Sequence, residues 1–352
     1  MAEPAKQLRE EKDVFNIRNI TAALGAAVLM AAPLSAQSVE EFYEGKEVSL
    51  VIGYSPGGGY DTYARLVARH MGKHIPGNPT VVPQNMPGAG SLRATNWLYE
   101  SAEQDGTVFL TMARAAPFDP LFGNENAEFR ADEFNYIGSA NNEVSLCMAL
   151  GSTGITGFED LKTTPLFVGG TGDTADTVQF PKIINAIFGT QMEIIKGYPG
   201  GNDVTLAMER GEVDGRCGWS WSSIKSGQAD KLADGTLVPL VQLSTGKHPD
   251  LPEVPLIMDL TEDRADRQLL NVIFARQALG RPFIAPPNVP EDRVAALQEA
   301  FMATMEDPEF LAEAAAADLE ITPLSGPEIQ QLVLDAYQAD PEIIERIGSI
   351  LN

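Results

Sequence analysis

Three adjacent glycines, residues 57–59, stand between a short apolar run and a segment with helical spacing. Val48, Leu50, Val51 and Ile52 are apolar and too few for a helix, so they predict a buried strand of a parallel sheet. The glycines interrupt the strand, and apolar positions then recur at helical spacing. We therefore predict a strand, a glycine corner and a helix that begins at the glycines.

A helix that begins at this corner offers unpaired backbone N–H groups and a partial positive charge. Glycine has no Cβ, so a small anion can approach the main-chain amides closely. A Walker loop would place Lys and then Ser or Thr after Gly59, where this chain has Tyr60 and Asp61, and the dinucleotide fingerprint would place glycine at Thr62. A carboxylate is therefore the predicted anion, and a tight turn without a ligand is the alternative.

The length and charge of the chain limit its partners. With 352 residues it can form one large domain or two lobes, and its formal charge of −24 argues against nucleic acid or an anionic membrane surface. Salt screens charges more than about 8 Å apart, whereas amides touch their ligand directly, so an acidic protein can still bind an anion. Solubility or a salty medium is the other explanation of the acidity.

The first 36 residues have the pattern of a secretory signal. Residues 21–32 are uncharged and shorter than the roughly 20 residues that span a bilayer, and the small residues Ser35 and Ala36 suit cleavage. We predict a signal peptide over residues 1–36, cleaved near Ala36, and an exported protein. A true translation start at Val14 is a hypothesis that would leave a normal basic leader. No cysteine follows the apolar run, so a lipid anchor is not expected.

Export to an oxidising compartment bears on the two cysteines. Cys147 lies in a strand-like segment, and Cys217 follows the strand-like residues 213–216. A disulfide between them would close a loop of about 70 residues and add roughly 4 kcal/mol on the chain-entropy model. Two separate buried thiols are the alternative.

The strand, corner and helix pattern recurs three times. Further glycine corners stand at residues 85–90, 169–174 and 197–202, each between a strand-like and a helix-like segment. Ligands of open α/β sheets bind at the carboxyl ends of the strands, and two such lobes can face each other across a cleft. Two similar α/β lobes, each a sheet flanked by helices, are therefore predicted.

We assign the first and last parts of the chain to one lobe and the middle part to the other. Residues 37–142 and 243–352 would form the first lobe, and residues 143–242 the second. Amphipathic helices at residues 291–305 and 326–337 are expected to pack against the first lobe.

An enzyme is the main rival class of function. The chain has three histidines and no G-x-S-x-G elbow, so a Ser-His-Asp arrangement is hard to assemble. The cysteines and histidines do not follow metal-ligand spacing. We therefore predict no catalytic residue, no metal and no cofactor.

Three motifs occur in order behind the predicted signal. They are Tyr54-Ser-Pro-Gly-Gly-Gly-Tyr-Asp61, Asn85-Met-Pro-Gly-Ala-Gly90, and Tyr198-Pro-Gly-Gly201 with Arg210-Gly-Glu-Val-Asp214. With these motifs the chain, from about Val48 onward, resembles the tripartite tricarboxylate transporter receptor family, also called Bug extracytoplasmic solute receptors. The resemblance implies a type II (Venus-flytrap) periplasmic binding protein fold, whose two lobes close on an organic anion and deliver it to a membrane permease.

The resemblance also implies a set of binding residues. In these receptors the amides of the first two corners hold a ligand carboxylate with the help of ordered waters, and the second lobe closes over the remainder. Asp61 would repel a carboxylate, so its expected role is to cap the helix or hold a water. The implied set is Tyr54, Ser55, Gly57, Gly58, Gly59, Asp61, Gly88, Ala89, Gly90 and Ser91 from the first lobe, and Thr171, Gly172, Asp173, Tyr198 and Gly200 from the second.

The sequence departs from the commoner pattern of that family at Arg114 and over residues 216–221. Arg114 and Arg216 are candidates for binding a second, distal carboxylate, because a guanidinium can donate two hydrogen bonds to one carboxylate in a bidentate arrangement. A salt bridge is the alternative for either arginine. Trp219 or Trp221 could stack on the ligand, with core packing as the alternative.

Taken together, the sequence predicts a monomeric receptor that binds a mono-, di- or tricarboxylate. Its expected partners are the large and small subunits of a membrane permease, and nucleic acid is not expected. A sensor that passes the bound state to a signalling partner is the alternative that the sequence leaves open.

Overall fold

The computed structural model describes Met1 and residues 37–352, and Val39–Asn352 forms one compact unit. The predicted signal peptide, its cleavage site near Ala36 and the proposed start at Val14 lie outside the described residues, apart from Met1. Over the described part of the chain, no helix is both long enough and apolar enough to cross a membrane.

Strands and helices alternate around the glycine corners in the first part of the chain, as those corners predict. These elements are α1 (Val39–Tyr43), β1 (Glu47–Ile52), α2 (Gly59–Met71), β2 (Thr80–Asn85), α3 (Leu92–Glu100), β3 (Val108–Thr111) and β4 (Asn135–Ser139). The alternation continues through the middle of the chain. There the elements are β5 (Ser145–Leu150), β6 (Leu166–Gly170), α4 (Asp176–Phe188), β7 (Met192–Lys196), α5 (Gly201–Glu209), β8 (Gly215–Ser220), α6 (Trp221–Ala233) and β9 (Leu237–Leu243).

The last part of the chain is mostly helical. Its elements are α7 (Arg264–Ala275), β10 (Pro282–Ala285), α8 (Glu291–Glu306), α9 (Pro308–Ala316), β11 (Leu324–Ser325), α10 (Gly326–Ala336) and α11 (Pro341–Leu351). The periodicity of residues 291–305 and 326–337 predicts α8 and α10 to within a residue.

The strands form two mixed sheets, and we call each sheet with its helices a lobe. The first lobe has the six-stranded order β11-β4-β10-β3-β1-β2, and the second has the five-stranded order β7-β6-β8-β5-β9. Strands β1, β2 and β3 run parallel, as do β6, β7 and β8. Strands β10 and β5 are antiparallel to their neighbours. The carboxyl ends of the parallel strands therefore lead into the glycine corners.

Strand β1 is buried because both of its edges are paired and both of its faces are covered. Val48, Leu50 and Ile52 are fully buried in one apolar cluster, and Val51 is buried in a second cluster. This alternation is the two-residue period of a strand. Burial of each such side chain contributes about 1.5–3 kcal/mol, so β1 fixes the position of the corner that follows it.

Helix α2 begins at Gly59, as predicted, and turns its apolar face toward β1. Ala64, Val67 and Met71 are fully buried in the cluster that holds Val48. Tyr60 lies on the same helix but faces a cavity instead of this cluster.

The chain passes from the first sheet to the second between β4 and β5, and returns between β9 and β10. These two passages are hydrogen-bonded side by side. The N–H of Ala140 donates to the carbonyl of Arg281 (3.1 Å), and the N–H of Gly280 donates to that of Asn141 (2.9 Å). The pairing gives the lobes a short common hinge.

The predicted strand at residues 213–216 is wrong in position, because β8 begins at Gly215 and contains Cys217. The strand approaches β5 so closely that a Cβ at position 215 would lie 2.5 Å from the carbonyl oxygen of Met148. Glycine is a poor strand former by propensity, and this hid the strand in the sequence. Cys147 and Cys217 are joined by a disulfide between β5 and β8.

Candidate functional site

A cavity of about 50 Å³ lies between the corners of the two lobes. Both lobes contribute to its wall. The lining residues are Tyr54, Gly58, Gly59, Tyr60, Ala113, Arg114 and Arg281 from the first lobe, and Thr171, Ala175, Asp176, Thr177, Gly201, Arg216, Gly218, Ser220 and Ser223 from the second.

Two helix N-termini face each other at this cavity. Helix α2 starts at Gly59 and α5 starts at Gly201, and a Cβ built on Gly58 would lie 3.6 Å from the backbone nitrogen of Gly201. Each terminus offers unpaired N–H groups and partial positive charge. Two such ends in one wall favour a negatively charged occupant.

The lobes also touch directly across the cleft. The N–H of Ser55 donates to the carbonyl of Pro199 (3.2 Å), and the Ser55 hydroxyl donates to Asp203 (2.6 Å). On the other corner, the Thr174 hydroxyl lies 2.8 Å from the carbonyl oxygen of Ala89. These contacts join the two lobes beside the cavity.

Arg114 is almost completely buried and bridges the lobes. Its Nε lies 3.1 Å from a carboxylate oxygen of Asp176, and its Nη2 donates to Ser220 (2.6 Å). Its Nη1 donates to Gln277 of the hinge. Burial opposes the charge, but Tyr60, Asp176 and Glu143 outweigh that effect and raise the pKa of Arg114. The interlobe salt bridge considered from the sequence is therefore present.

Arg281 fixes the hinge to the start of α6. Its guanidinium lies 3.3 Å from Glu143 and donates to Ser222 and Ser223, each at 3.1 Å. Glu143 in turn accepts from the N–H and hydroxyl of Ser222, so it occupies the N-terminus of α6. The positive end of that helix is already neutralised by the protein itself.

Arg216 differs from these arginines because no carboxylate of the described residues pairs with it. Its Nη1 donates to the carbonyl of Gly201 (3.0 Å), while its Nε is buried without a hydrogen-bond partner. Burial lowers the pKa of Arg216 to about 9; Tyr54 opposes this shift, and Arg281 and Arg114 add to it. Arg216 therefore remains protonated at neutral pH and faces the cavity without a counterion.

The structure distributes the predicted binding residues over several places. Tyr54, Gly58, Gly59, Arg114, Thr171 and Arg216 line the cavity. A neighbouring groove outside the Thr174 contact is lined by Gly88, Ala89, Thr171, Gly172, Asp173 and Tyr198. Gly57 and Trp219 line a third opening on the far side of Arg216. The lining of these three spaces does not include Ser55, Asp61, Gly90, Ser91 or Gly200.

Asp61 and Ser91 hold the corners in shape. Asp61 accepts from the N–H of Gly57 (2.9 Å) and from Arg65 and Asn85. Burial alone would raise its pKa, but these hydrogen bonds outweigh burial and lower the pKa of Asp61. The Ser91 hydroxyl accepts from the N–H of Ala113 (2.7 Å).

The remaining predicted residues make contacts of their own. Gly90 accepts from the hydroxyl of Tyr54 (3.3 Å), Gly200 packs against Ser55, and Asp173 forms an exposed pair with Lys196. Trp219 is 2% exposed and packs in the second lobe beneath Arg216.

Sequence reasoning missed several residues of the cavity wall. Tyr60, Asp176, Ser220, Ser223 and Arg281 line it and come from separate elements. Tyr60 directly follows the glycine corner and could have been included on that ground. The others carry no local signature, because only the fold brings them together.

Two clusters of histidine and carboxylate side chains have potential ligand atoms within 4.8 Å of one another. They are His70 with Asp307 and Glu309, and His248 with Asp250 and Glu320. In each cluster both carboxylates already bind a lysine. Lys73 lies 2.6 Å from Asp307 and 2.7 Å from Glu309, and Lys225 lies 3.0 Å from both Asp250 and Glu320. The contacts are those of ion-pair networks.

The two sheets, the paired hinge and the interlobe cavity define a class of protein. They are the architecture of a two-lobe α/β periplasmic binding protein, and comparison with solved structures confirms this predicted fold. BugD, a periplasmic binding protein, has a TM-score of 0.71 at 20% identity, covering 87% of this chain and 99% of that one. MatC from Rhodopseudomonas palustris, solved with bound malate, has a TM-score of 0.65 at 19% identity with the same coverage.

Sequence comparison gives a shorter match. Protein BugT of Bordetella pertussis is 33% identical over 106 residues, which is 29% of this chain and 30% of BugT. No family model matches the sequence. The match to BugT and the fold shared with BugD confirm the resemblance to the Bug receptors. BugD is a periplasmic binding protein, and this chain shares its fold.

Proposed function

We propose that this chain is a periplasmic receptor that binds a small organic carboxylate between its two lobes and delivers it to a membrane permease. One observation carries the proposal: the guanidinium of Arg216 has no carboxylate partner among the described residues, its Nε is buried without a hydrogen bond, and it shares a cavity with the N-termini of α2 and α5. A carboxylate supplies the missing negative charge and can accept hydrogen bonds from both kinds of donor.

The charges around the cavity support an anionic ligand. Arg114, Arg276 and Arg281 have carboxylate partners, since Arg276 lies 3.1 Å from the second oxygen of Asp176. Of these residues, Arg114, Arg281 and Asp176 line the cavity, and Arg216 is a third arginine of its wall, for which the described residues provide no carboxylate partner. The cavity wall therefore has an excess of positive charge, although the whole chain has a formal charge of −24.

The available contacts are sufficient for useful affinity. A hydrogen bond to a charged group contributes about 1.5–3 kcal/mol net, so three or four of them, after ordering costs, reach the roughly 8 kcal/mol of micromolar binding. No covalent chemistry is required, and closure of the lobes over the ligand completes the binding step.

The finer parts of the proposal rest on the resemblance to the Bug receptors. They are a monomeric protein in the periplasm, removal of its leader near Ala36, and delivery to a permease with one large and one small subunit. The malate held by MatC supports a carboxylate of similar size as the ligand.

A thermal-shift screen of the purified protein tests the binding function. Acetate, malonate, succinate, malate, adipate and citrate cover mono-, di- and tricarboxylates of increasing length. At least one should raise the unfolding temperature in a saturable way and bind with one-to-one stoichiometry by calorimetry. If none of the six does so, the receptor function is contradicted. Loss of uptake of the same acid on deletion of the gene would test delivery separately.

A further inference from the structure

The hydroxyl of Ser220, one of the two serines that line the cavity, has both of its acceptor positions filled. Ser220 Oγ accepts from Nη2 of Arg114 at 2.6 Å and from Nη1 of Arg281 at 3.2 Å. A hydroxyl has two lone pairs and one proton, so only the proton of Ser220 remains for a further bond. Within the part of the chain that the structure describes, Ser220 donates to no protein acceptor, and it lines the cavity.

Tyr60 shows the same arrangement on the opposite lobe. Its Oη accepts from the backbone N–H of Arg114 at 3.0 Å and from Nε of that residue at 3.4 Å. The ring is held between Tyr54, stacked at a centroid distance of 4.7 Å, and Arg281, whose Cζ lies 4.8 Å from the ring centroid. The phenol is thus fixed in place, and its proton has no acceptor among the described residues.

We infer that Ser220 and Tyr60 donate hydrogen bonds to the ligand but cannot accept them from it, and that they therefore select an ionised carboxylate over the corresponding amide. Arg114 and Arg281 act as positioning residues, because their N–H groups occupy the lone pairs that could otherwise accept. The inference rests on the proposed function and deepens it, since it concerns which chemical group this same cavity accepts.

The selectivity follows from the difference between the two groups. Both oxygens of a carboxylate accept hydrogen bonds, so each can accept one from the hydroxyl of Ser220 or Tyr60. A primary amide of the same shape replaces one oxygen by NH₂, whose protons would meet the O–H groups of these side chains and find no free lone pair. The unpaired donors that result make such a site reject the analogue.

The one carboxylate in the cavity wall does not remove this selectivity. Asp176 Oδ2 lies 3.1 Å from Nε of Arg114 and Oδ1 lies 3.1 Å from Nη2 of Arg276, although Oδ1 accepts no hydrogen bond within the described part of the chain. An amide that reached Asp176 would compete with two buried ion pairs.

The test compares acids with their monoamides by calorimetry. Malonate, succinate, malate and adipate are each titrated beside the monoamide, into wild type, Ser220→Ala, Tyr60→Phe and the control Ser152→Ala, which changes an exposed serine. Wild type and the control should bind at least one diacid about 10-fold or more tightly than its monoamide. In Ser220→Ala and Tyr60→Phe the diacid should weaken by about 10-fold while the amide does not, so the preference falls.

The outcomes separate this inference from the receptor function. If wild type binds a diacid and both variants keep its preference over the monoamide, the inference is overturned and the receptor function stands. If wild type binds no diacid and no monoamide, both are overturned together. Equal weakening of acid and amide indicates general damage to the site and also contradicts the inference. Tyr60 and Ser220 lie in different lobes, so misfolding of one variant leaves the other to decide.

Discussion

Arg216 lies against the ring of Trp219, with its Cζ 4.8 Å from the ring centroid. The indole face offers a favourable electrostatic contact to the guanidinium but no negative charge, so it orients Arg216 without neutralising it. An aromatic support of this kind keeps the donor in place while leaving its charge for a partner in the cavity.

Replacement of Arg216 by Gln should separate binding from stability. We expect affinity for the best-binding diacid to fall by about 10- to 100-fold, because a hydrogen bond to a charged group is lost. The unfolding temperature without added acid should not fall, since an unpaired, partly buried charge is removed. Calorimetry and thermal unfolding measure the two effects. Arg210→Gln, whose side chain is 68% exposed, is the matched control and should change neither. Wild-type affinity in Arg216→Gln would exclude Arg216 from the site.

Gly58→Asp should place an anion of the protein's own in the cavity. Gly58 precedes α2 with φ −84° and ψ 170°, a conformation open to any residue, and its Cβ would lie 3.6 Å from the nitrogen of Gly201. The new carboxylate can reach both helix N-termini, so calorimetry should detect no binding of added diacid, with no loss of thermal stability. Gly58→Ala is the control and should retain binding, because its Cβ makes only ordinary contacts. Unchanged binding in the Asp variant would contradict the assignment of this corner.

Asp119 should make the stability of the protein depend on pH. Burial raises the pKa of Asp119 from 3.8 to about 7, although Gln179 and Arg276 oppose the shift. The folded form keeps the proton up to about pH 7, whereas the unfolded form releases it above about pH 4. The contribution of Asp119 to stability is therefore complete below about pH 4 and is lost progressively as the pH rises to about 7. Wild type should lose up to about 1.4 kcal/mol per pH unit relative to Asp119→Asn over that window. Urea unfolding at several pH values measures this, and a constant difference between the two proteins would refute it.

Removal of the disulfide should destabilise the protein. Cys147 and Cys217 are 70 residues apart in sequence, and closing a loop of that length contributes about 4 kcal/mol on the chain-entropy model. We expect a loss of that size in the double variant Cys147→Ala/Cys217→Ala, measured by urea unfolding. A reductant should lower the stability of wild type and leave the double variant unchanged. Equal effects of reductant on both proteins would show that the bond does not stabilise the fold.

The sequence predicts the framework of the fold because its signals are local. An apolar run, three glycines and a helical period together specify β1, the corner and the start of α2 at Gly59 within a few residues. The position of β8 was missed because Gly215 and Gly218 suppress the strand pattern, and the close approach to β5 that requires glycine at 215 is a tertiary contact.

The composition of the site was only partly predictable. Arg114 and Arg216 are single charged residues at unusual positions, so the sequence predicts them as candidate binding residues, and both line the cavity. Ser220 and Arg281 could not be found in the same way, because they are 61 residues apart in sequence and only the fold brings their side chains together. The sequence also does not show whether an arginine forms a salt bridge. Arg114 pairs with Asp176, whereas the Nε of Arg216 is buried without a hydrogen-bond partner.

The contacts that Ser55 and Thr174 make across the cleft join protein groups only. They therefore contribute the same free energy to closure whichever acid lies in the cavity. Apparent affinity scales with the fraction of molecules in the binding-competent conformation, so such contacts multiply every affinity by one common factor and leave their ranking unchanged. In the proposed receptor, the overall affinity and the choice of acid therefore depend on different residues. Substitutions at Ser55 or Thr174 can change the concentration of acid at which the protein responds without changing which acid it prefers.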